Sequence, residues 1–158
     1  NVLTETFQKK LLPYKEAIAS SSLSEKDVII LASILEREAN DEQSMKIVSG
    51  ILQNRLKHGM ALQVDASIEY VLDKSLSELT SEDLKIDSPY NTYLHTGLTP
   101  TPIGNPGLQA IDAVLHPAQT EYLYYITDAD GHFHYAKTFE EHKRNVTKYL
   151  QYRFEVIF

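Results

Sequence analysis

Residues 121–138, EYLYYITDADGHFHYAKT, decide the fold class of this 158-residue chain. Two runs rich in Tyr, Phe, Ile and Thr flank the tetrapeptide DADG at 128–131, the composition of a β-hairpin, with Gly131 taking the positive-φ position of the turn. Thr138 with Glu141 then forms a capping box, which opens a helix to about residue 151. Apart from an extended run at 61–71, everything before the hairpin reads as helix or loop. Helices first and a hairpin late fit an α+β domain: a mainly helical single domain with a late β-hairpin and a long Pro/Gly/Tyr-containing loop. A doubly wound sheet would alternate strands and helices along the chain.

Working back from the hairpin, Asn105 and Pro106 supply cap and first-turn chemistry for a short helix through Leu108, Ile111, Val114 and Leu115, stopped before Pro117. Residues 87–107, DSPYNTYLHTGLTPTPIGNPG, hold four prolines and three glycines and no steady period. A loop of that length inside a compact domain points to function or to disorder, and Tyr90, Tyr93 and Leu94 argue that it packs. Residues 74–84 suggest short helical pieces, and 61–71, ALQVDASIEYV, an extended run. Before these, Asn40 and Gln43 form a capping box for a helix whose apolar face is Met45, Val48, Leu52 and Leu56, widened by Ile47 and Ile51 and closed by Gly59 as a left-handed cap. Ser24 and Asp27 cap another helix over 25–39, with Leu23 and Val28 as its hydrophobic staple. Residues 4–19 have a helical rhythm broken at Pro13. The last eight residues, QYRFEVIF, extend the final helix into a strand or dock on the domain.

The composition narrows the chemistry. A chain of this length builds one domain with a real core. Hydrophobic residues are 42% and charged residues 23%, within the globular range, and no segment reaches the apolar length of a membrane helix. Lys and Arg total 15 against 22 Asp and Glu, a net charge of −7, which disfavours nucleic acid and anionic membrane as partners. The absence of cysteine removes disulfides, thiolate metal sites and a cysteine nucleophile. No serine sits in a G-x-S-x-G context, and the Asn145 sequon falls inside an expected helix, where it is incidental.

Residues 34–40, ILEREAN, carry two acids near the end of an apolar helix. At about 100° per residue, with Val28 as origin, Glu38 falls between Leu31 and Ile34 inside the apolar arc, and Glu36 falls at the polar margin beyond Ala32. A carboxyl among apolar neighbours keeps its proton to higher pH, the property of a general acid. The competing reading turns Glu38 outward to water or to Arg37 or Lys46. A different chemistry, zinc-dependent hydrolysis, would use His132 and His134, alternate residues of one strand, joined by Asp130, His142 or His116. That pair lacks a standard third-ligand spacing, and such histidines more often pack or hydrogen-bond on a sheet surface.

The segments LASILEREAN, ILQNRLKHGMALQVDASIEYV, SPYNTYLHTGLTPTPIGNPGLQAIDAVLHP and YLYYITDADGHFHYAKTFEEHKRNV, in this order over residues 31–146, closely resemble the catalytic domain of the bacterial endolytic murein transglycosylases, the MltG or YceG-like family. The resemblance implies cleavage inside a peptidoglycan glycan strand, between N-acetylmuramic acid and N-acetylglucosamine, leaving a 1,6-anhydro end. It implies that Glu38, the second glutamate of the E-x-E pair, is the acid. It makes Gln63, Asp65, Tyr90, Asn91 and Tyr93 candidates for binding glycan, with Glu36 a supporting partner or the alternative acid. For Asp65 and Asn91 the other reading is a turn held by backbone hydrogen bonds, and for Tyr90 and Tyr93 an anchor for the loop. Arg55 is a weaker candidate, because an arginine late in a helix also suits the macrodipole.

The chain departs from the family in having Ala39 where threonine is usual, Ala66 for proline, Ser67 for threonine and Lys143 for asparagine. No metal or cofactor is implied. Glycan strands are the expected partner, with peptidoglycan synthases expected from the family. The family's full-length proteins carry an N-terminal membrane helix and a LysM-like domain at the outer face of the cell membrane, and these 158 residues are expected to be the catalytic domain without either. A glycan-binding module that does not cut is the remaining alternative.

Overall fold

The computed structural model describes residues 2–150. The chain begins with α1 (Val2–Leu11), passes through a 3-10 turn at Leu12–Tyr14 and restarts as α2 (Lys15–Ser20). Pro13 sits in the turn, since it cannot donate to a continuing helix.

The centre of the domain is α3 (Glu25–Glu38). Ser24 Oγ accepts from the Asp27 backbone N–H at 3.1 Å. The Asp27 carboxylate accepts in return from the Ser24 hydroxyl, at 2.7 Å, and not from its backbone N–H, so the cap is half of the expected box. Val28, Ile30, Leu31, Ala32, Ser33, Ile34 and Leu35 are all buried, more than one face of the helix. Ser33, at the polar side of the wheel, is covered by the long loop: its hydroxyl donates to Ile30 O and accepts from the Ile103 N–H at 3.0 Å. A buried hydroxyl is tolerated because both its roles are met.

The next helix is α4 (Glu42–Lys57), and its cap differs from the expected one. Asp41, not Asn40 with Gln43, accepts from the Ser44 N–H at 2.9 Å. Either side chain can cap, but the aspartate adds a negative charge at the positive end of the dipole. Gly59, at φ +64°, follows the helix as expected. Gly50 lies where another backbone comes close: a Cβ there would collide with Ala118 O. The same face of α4 ties down this passing chain, with Gln53 Nε2 donating to Val114 O and Asn54 Nδ2 to Thr120 O and Tyr122 O.

Residues 61–71 depart from expectation. The extended part is short and includes a bridge from Ala61 to Thr96, after which Asp65–Leu72 is a helix, α5. The consecutive burial of Ala66, Ser67 and Ile68 explains why alternation misleads, since a half-buried strand would expose the middle residue. Ser67 Oγ donates to Val64 O at 2.8 Å and meets Thr92 Oγ1 at 2.9 Å, fastening the helix start to the long loop. Short 3-10 turns at Leu76–Glu78 and Asp83–Lys85 follow.

After the long loop comes α6 (Leu108–Leu115), with Gly107 at its N-cap, two residues later than the Asn105 cap expected. The backbone reason is visible in the next contact: the Gly107 N–H is taken by Glu36 of α3. β1 (Tyr124–Thr127) and β2 (Phe133–Ala136) form the antiparallel hairpin, with Tyr125 opposite Tyr135 and Ile126 opposite His134. Gly131 has φ +85°. The chain then enters α7 (Phe139–Tyr149) through the Thr138 and Glu141 capping box. The architecture is α+β: α3, α4 and α6 pack around one apolar core, and the hairpin backed by α7 closes its side. QYRFEVIF lies outside the described residues. Among the described residues no helix is long and apolar enough to cross a membrane.

Candidate active site

A cleft of about 250 Å³ opens between the end of α3, the start of α5 and the hairpin. Glu38, Gln63, Asp65, Glu69, Tyr93, Tyr125 and His142 are among the side chains that line it. Glu38 reaches it because it is the last residue of α3: its backbone continues the apolar face of the helix, and at Ala39 the chain turns extended, at φ −145° and ψ 148°. Glu38 is half-buried, with protein packed densely around its carboxyl. Tyr125 Oη donates to Glu38 Oε2 at 2.6 Å.

Burial pushes the Glu38 carboxyl up from an ordinary 4.5 to about 7. The Tyr125 hydrogen bond and the Ala66 backbone N–H oppose that rise, because they favour the ionised form, and the charges of Asp65 and Glu69 add to it. A carboxyl poised near neutrality can both give and take a proton, the requirement for a single group acting as acid and then as base.

Three of the five glycan candidates meet in this cleft. Asp65 Oδ1 accepts from Tyr93 Oη at 2.5 Å, and burial followed by that carboxylate raises the Tyr93 phenol, so it remains a donor. Gln63 stands at φ +54°, a left-handed conformation that costs a residue with a Cβ roughly 1–2 kcal/mol. It is held there by its N–H to Thr92 O and by Arg55 Nη1 donating to its Oε1. Strain of this kind persists where surrounding structure over-determines a conformation.

Asn91 and Tyr90 lie elsewhere. Asn91 is fully buried, its amide donating to Leu84 O and Ile86 O while its oxygen accepts from the Tyr93 N–H, so it holds the turn that delivers Tyr93. Tyr90 pairs with Tyr70, ring centroids 5.2 Å apart, and its hydroxyl meets Thr101 at 2.7 Å, bracing the long loop. Glu36 is exposed and faces α6, accepting from Gly107 N at 3.1 Å.

Two residues carry more of the site than their sequence context suggests. Tyr125 is one of five consecutive β-forming residues at 122–126, and nothing in that run says which ring meets α3. Arg55, only 6% exposed, donates to Leu123 O at 2.7 Å and to Ala61 O and Leu62 O at 3.0 Å each, with its guanidinium 5.1 Å from the Tyr124 ring centroid. It clasps the two walls of the cleft, the segment before α5 and the entry to β1. At the rim Arg37 pairs with Glu69 at 2.8 Å.

The histidines grouped for a metal do not converge. His142 lies in the cleft, stacked on Tyr124, while His116 pairs with Asp112 on α6. His134 bonds Asp128 and stacks on Tyr149. Among the described residues the group with ligand atoms within 4.8 Å of one another is Asp128, Asp130 and His132 at the hairpin turn. There Asp128 is already occupied by the N–H groups of Asp130 and His132.

Two curated relatives are named endolytic murein transglycosylase. That of Bacillus subtilis (strain 168) is 38% identical over 137 residues, covering 87% of this chain and 38% of the relative. That of Streptococcus pneumoniae serotype 2 (strain D39) is 35% identical over 148 residues, covering 90% of this chain and 27% of the relative. The chain therefore spans between about a quarter and two fifths of the length of these relatives. A crystal structure of a YceG-like protein from Listeria monocytogenes superposes with a TM-score of 0.83 at 33% identity, over 89% of this chain and 46% of that one. The YceG-like family model matches residues 1–148, nearly the whole sequence, and the chain belongs to that family.

Proposed function

We propose that this chain is the catalytic domain of an endolytic murein transglycosylase, with Glu38 as general acid and then general base. The observation that carries the reading is the half-buried Glu38 carboxyl, raised by burial to about 7, at the wall of a cleft in a chain whose relatives bear that name. The protonated carboxyl gives its proton to the glycosidic oxygen between N-acetylmuramic acid and N-acetylglucosamine. The bond from that oxygen to C1 of the muramic sugar breaks, and the sugar's own C6 hydroxyl closes on C1. Its proton passes to the Glu38 carboxylate, which regenerates the acid. The products are a 4-hydroxyl on N-acetylglucosamine and a 1,6-anhydromuramic end, and no water is consumed.

The intramolecular nucleophile takes the place of the second carboxylate that an ordinary glycosidase needs, and its proximity contributes to rate. Gln63, Asp65 and Tyr93 offer an amide, a carboxylate and a phenol to sugar hydroxyls beside Glu38. The substrate is the peptidoglycan glycan strand. The site of action is the outer face of the bacterial cell membrane, beside peptidoglycan synthases.

The test is digestion of purified peptidoglycan by this chain and by Glu38→Gln, with mass spectrometry of the ends. Anhydro ends from the native chain and none from the variant are expected. Reducing muramic ends, or undiminished cutting by the variant, would refute the mechanism. Binding without cleavage by the native chain would favour a glycan-binding module instead.

A further inference from the structure

We propose that Tyr125 is the positioning residue of Glu38: its phenol holds the carboxyl through Oε2 and so fixes how the carboxyl is presented to the bond that is cut. This rests on the reading of Glu38 as the acid. The need for such a residue follows from where Glu38 sits. It closes α3, where helical hydrogen bonding ends, and the next residue, Ala39, is buried at 2% exposure with a methyl group that can orient nothing. A carboxyl on a helix terminus keeps rotational freedom unless another element holds it, and proton transfer demands a fixed oxygen within hydrogen-bond reach of its target.

Tyr125 supplies that hold from 87 residues away, at 2.6 Å. Its own placement is constrained from three sides. Its residue is paired with Tyr135 across the hairpin, and its ring lies 6.2 Å from that of Phe133. Just before it, Leu123 donates its N–H to Ala136 O and gives its carbonyl to Arg55. The strand that carries the phenol is therefore held in place independently of Glu38. Burial, followed by the Glu38 carboxylate, keeps the Tyr125 proton in place well beyond neutral pH, so it stays a donor through both halves of the reaction.

The other groups facing this pair are Asp65, Glu69 and the Ala66 N–H from α5, Tyr93 from the long loop and Arg55 from α4, with Arg37 of α3 and His142 of α7 lining the same cleft. The carboxylates of Asp65 and Glu69 repel the Glu38 charge. The Ala66 backbone N–H favours it, and among the described residues Tyr125 is the side chain that donates to it.

Tyr125→Phe removes the hydroxyl and leaves the ring. Two measurements are made on the whole 158-residue chain: the carbon-13 shift of the Glu38 carboxyl against pH, and the pH dependence of peptidoglycan cutting. The variant's Glu38 midpoint is expected to rise from about 7 by about one pH unit. The alkaline limb of the rate profile should move with it, and kcat should fall about ten-fold or more with KM little changed. An unchanged midpoint together with unchanged kcat overturns the proposal. If the variant does not fold, the wild type decides: the Tyr125 Cζ shift should follow the Glu38 titration, and a Cζ shift flat across that midpoint overturns it. Loss of the functional reading looks different, since an inactive native chain or a fully active Glu38→Gln would leave the titration coupling between Tyr125 and Glu38 intact.

Discussion

Glu38→Gln should reveal the buried carboxyl through stability alone, without any substrate. In the folded chain the group titrates at about 7, against an ordinary 4.5 when unfolded. A carboxyl whose folded pKa is raised binds its proton more tightly in the native state. Its favourable contribution is fully present below pH 4.5 and is lost as pH rises through 7. The difference of about two and a half pKa units corresponds to about 3 kcal/mol between the two limits, of which almost all falls between pH 4.5 and 8. Glutamine is nearly the same shape and cannot ionise, so it lacks this dependence. Urea unfolding at pH 4.5, 6 and 8 measures it: the stability of Glu38→Gln relative to the native chain should climb by about 3 kcal/mol across that range, ending with the variant the more stable at pH 8. A relative stability flat with pH would mean that Glu38 titrates as a hydrated glutamate, and burial would not equip it as the acid.

Gly50→Ala drives a Cβ into Ala118 O between two backbones, and should cost about 1–3 kcal/mol in a urea melt; a neutral result would show that the passing chain can retreat. Arg55→Lys keeps the charge but loses the planar fork that reaches Leu123, Ala61 and Leu62, and should destabilise by about 3 kcal/mol, seen as a lowered midpoint of thermal unfolding. Full stability in that variant would remove the clasp between the cleft walls. Glu36→Gln weakens one exposed bond to Gly107, should cost less than about 1 kcal/mol, and should leave peptidoglycan cutting near the native rate; a loss as deep as that of Glu38→Gln would transfer the acid role to Glu36.

Local chemistry makes most of the elements legible in the amino-acid sequence. Thr138 and Glu141 cap α7, Gly131 turns the hairpin and Pro13 interrupts the first helix, because each acts on neighbours within four residues. The departures are of two kinds. Asn40 against Asp41, and Asn105 against Gly107, are choices between nearby residues able to cap, settled by charge or by a distant acceptor such as Glu36. Residues 65–72 alternate as an extended run with one buried face would, whereas Thr92 and Val64 hold Ser67 in a helix with consecutive buried residues.

Neighbouring residues are enough to make the chain helical with a late hairpin, and to set Glu38 on the apolar side of its helix and Glu36 at the polar margin. Both conclusions depend on periodicity and short-range hydrogen bonding, which are written into consecutive residues. Packing between distant segments sets which of five candidate polar residues share the cleft with Glu38, and makes Asn91 and Tyr90 supports of the loop that brings Tyr93 there. The same packing brings a tyrosine of β1 to the carboxyl. Those outcomes rest on contacts across 28 and 87 residues of chain, between Asp65 and Tyr93 and between Glu38 and Tyr125, and no local pattern encodes a distance of that kind.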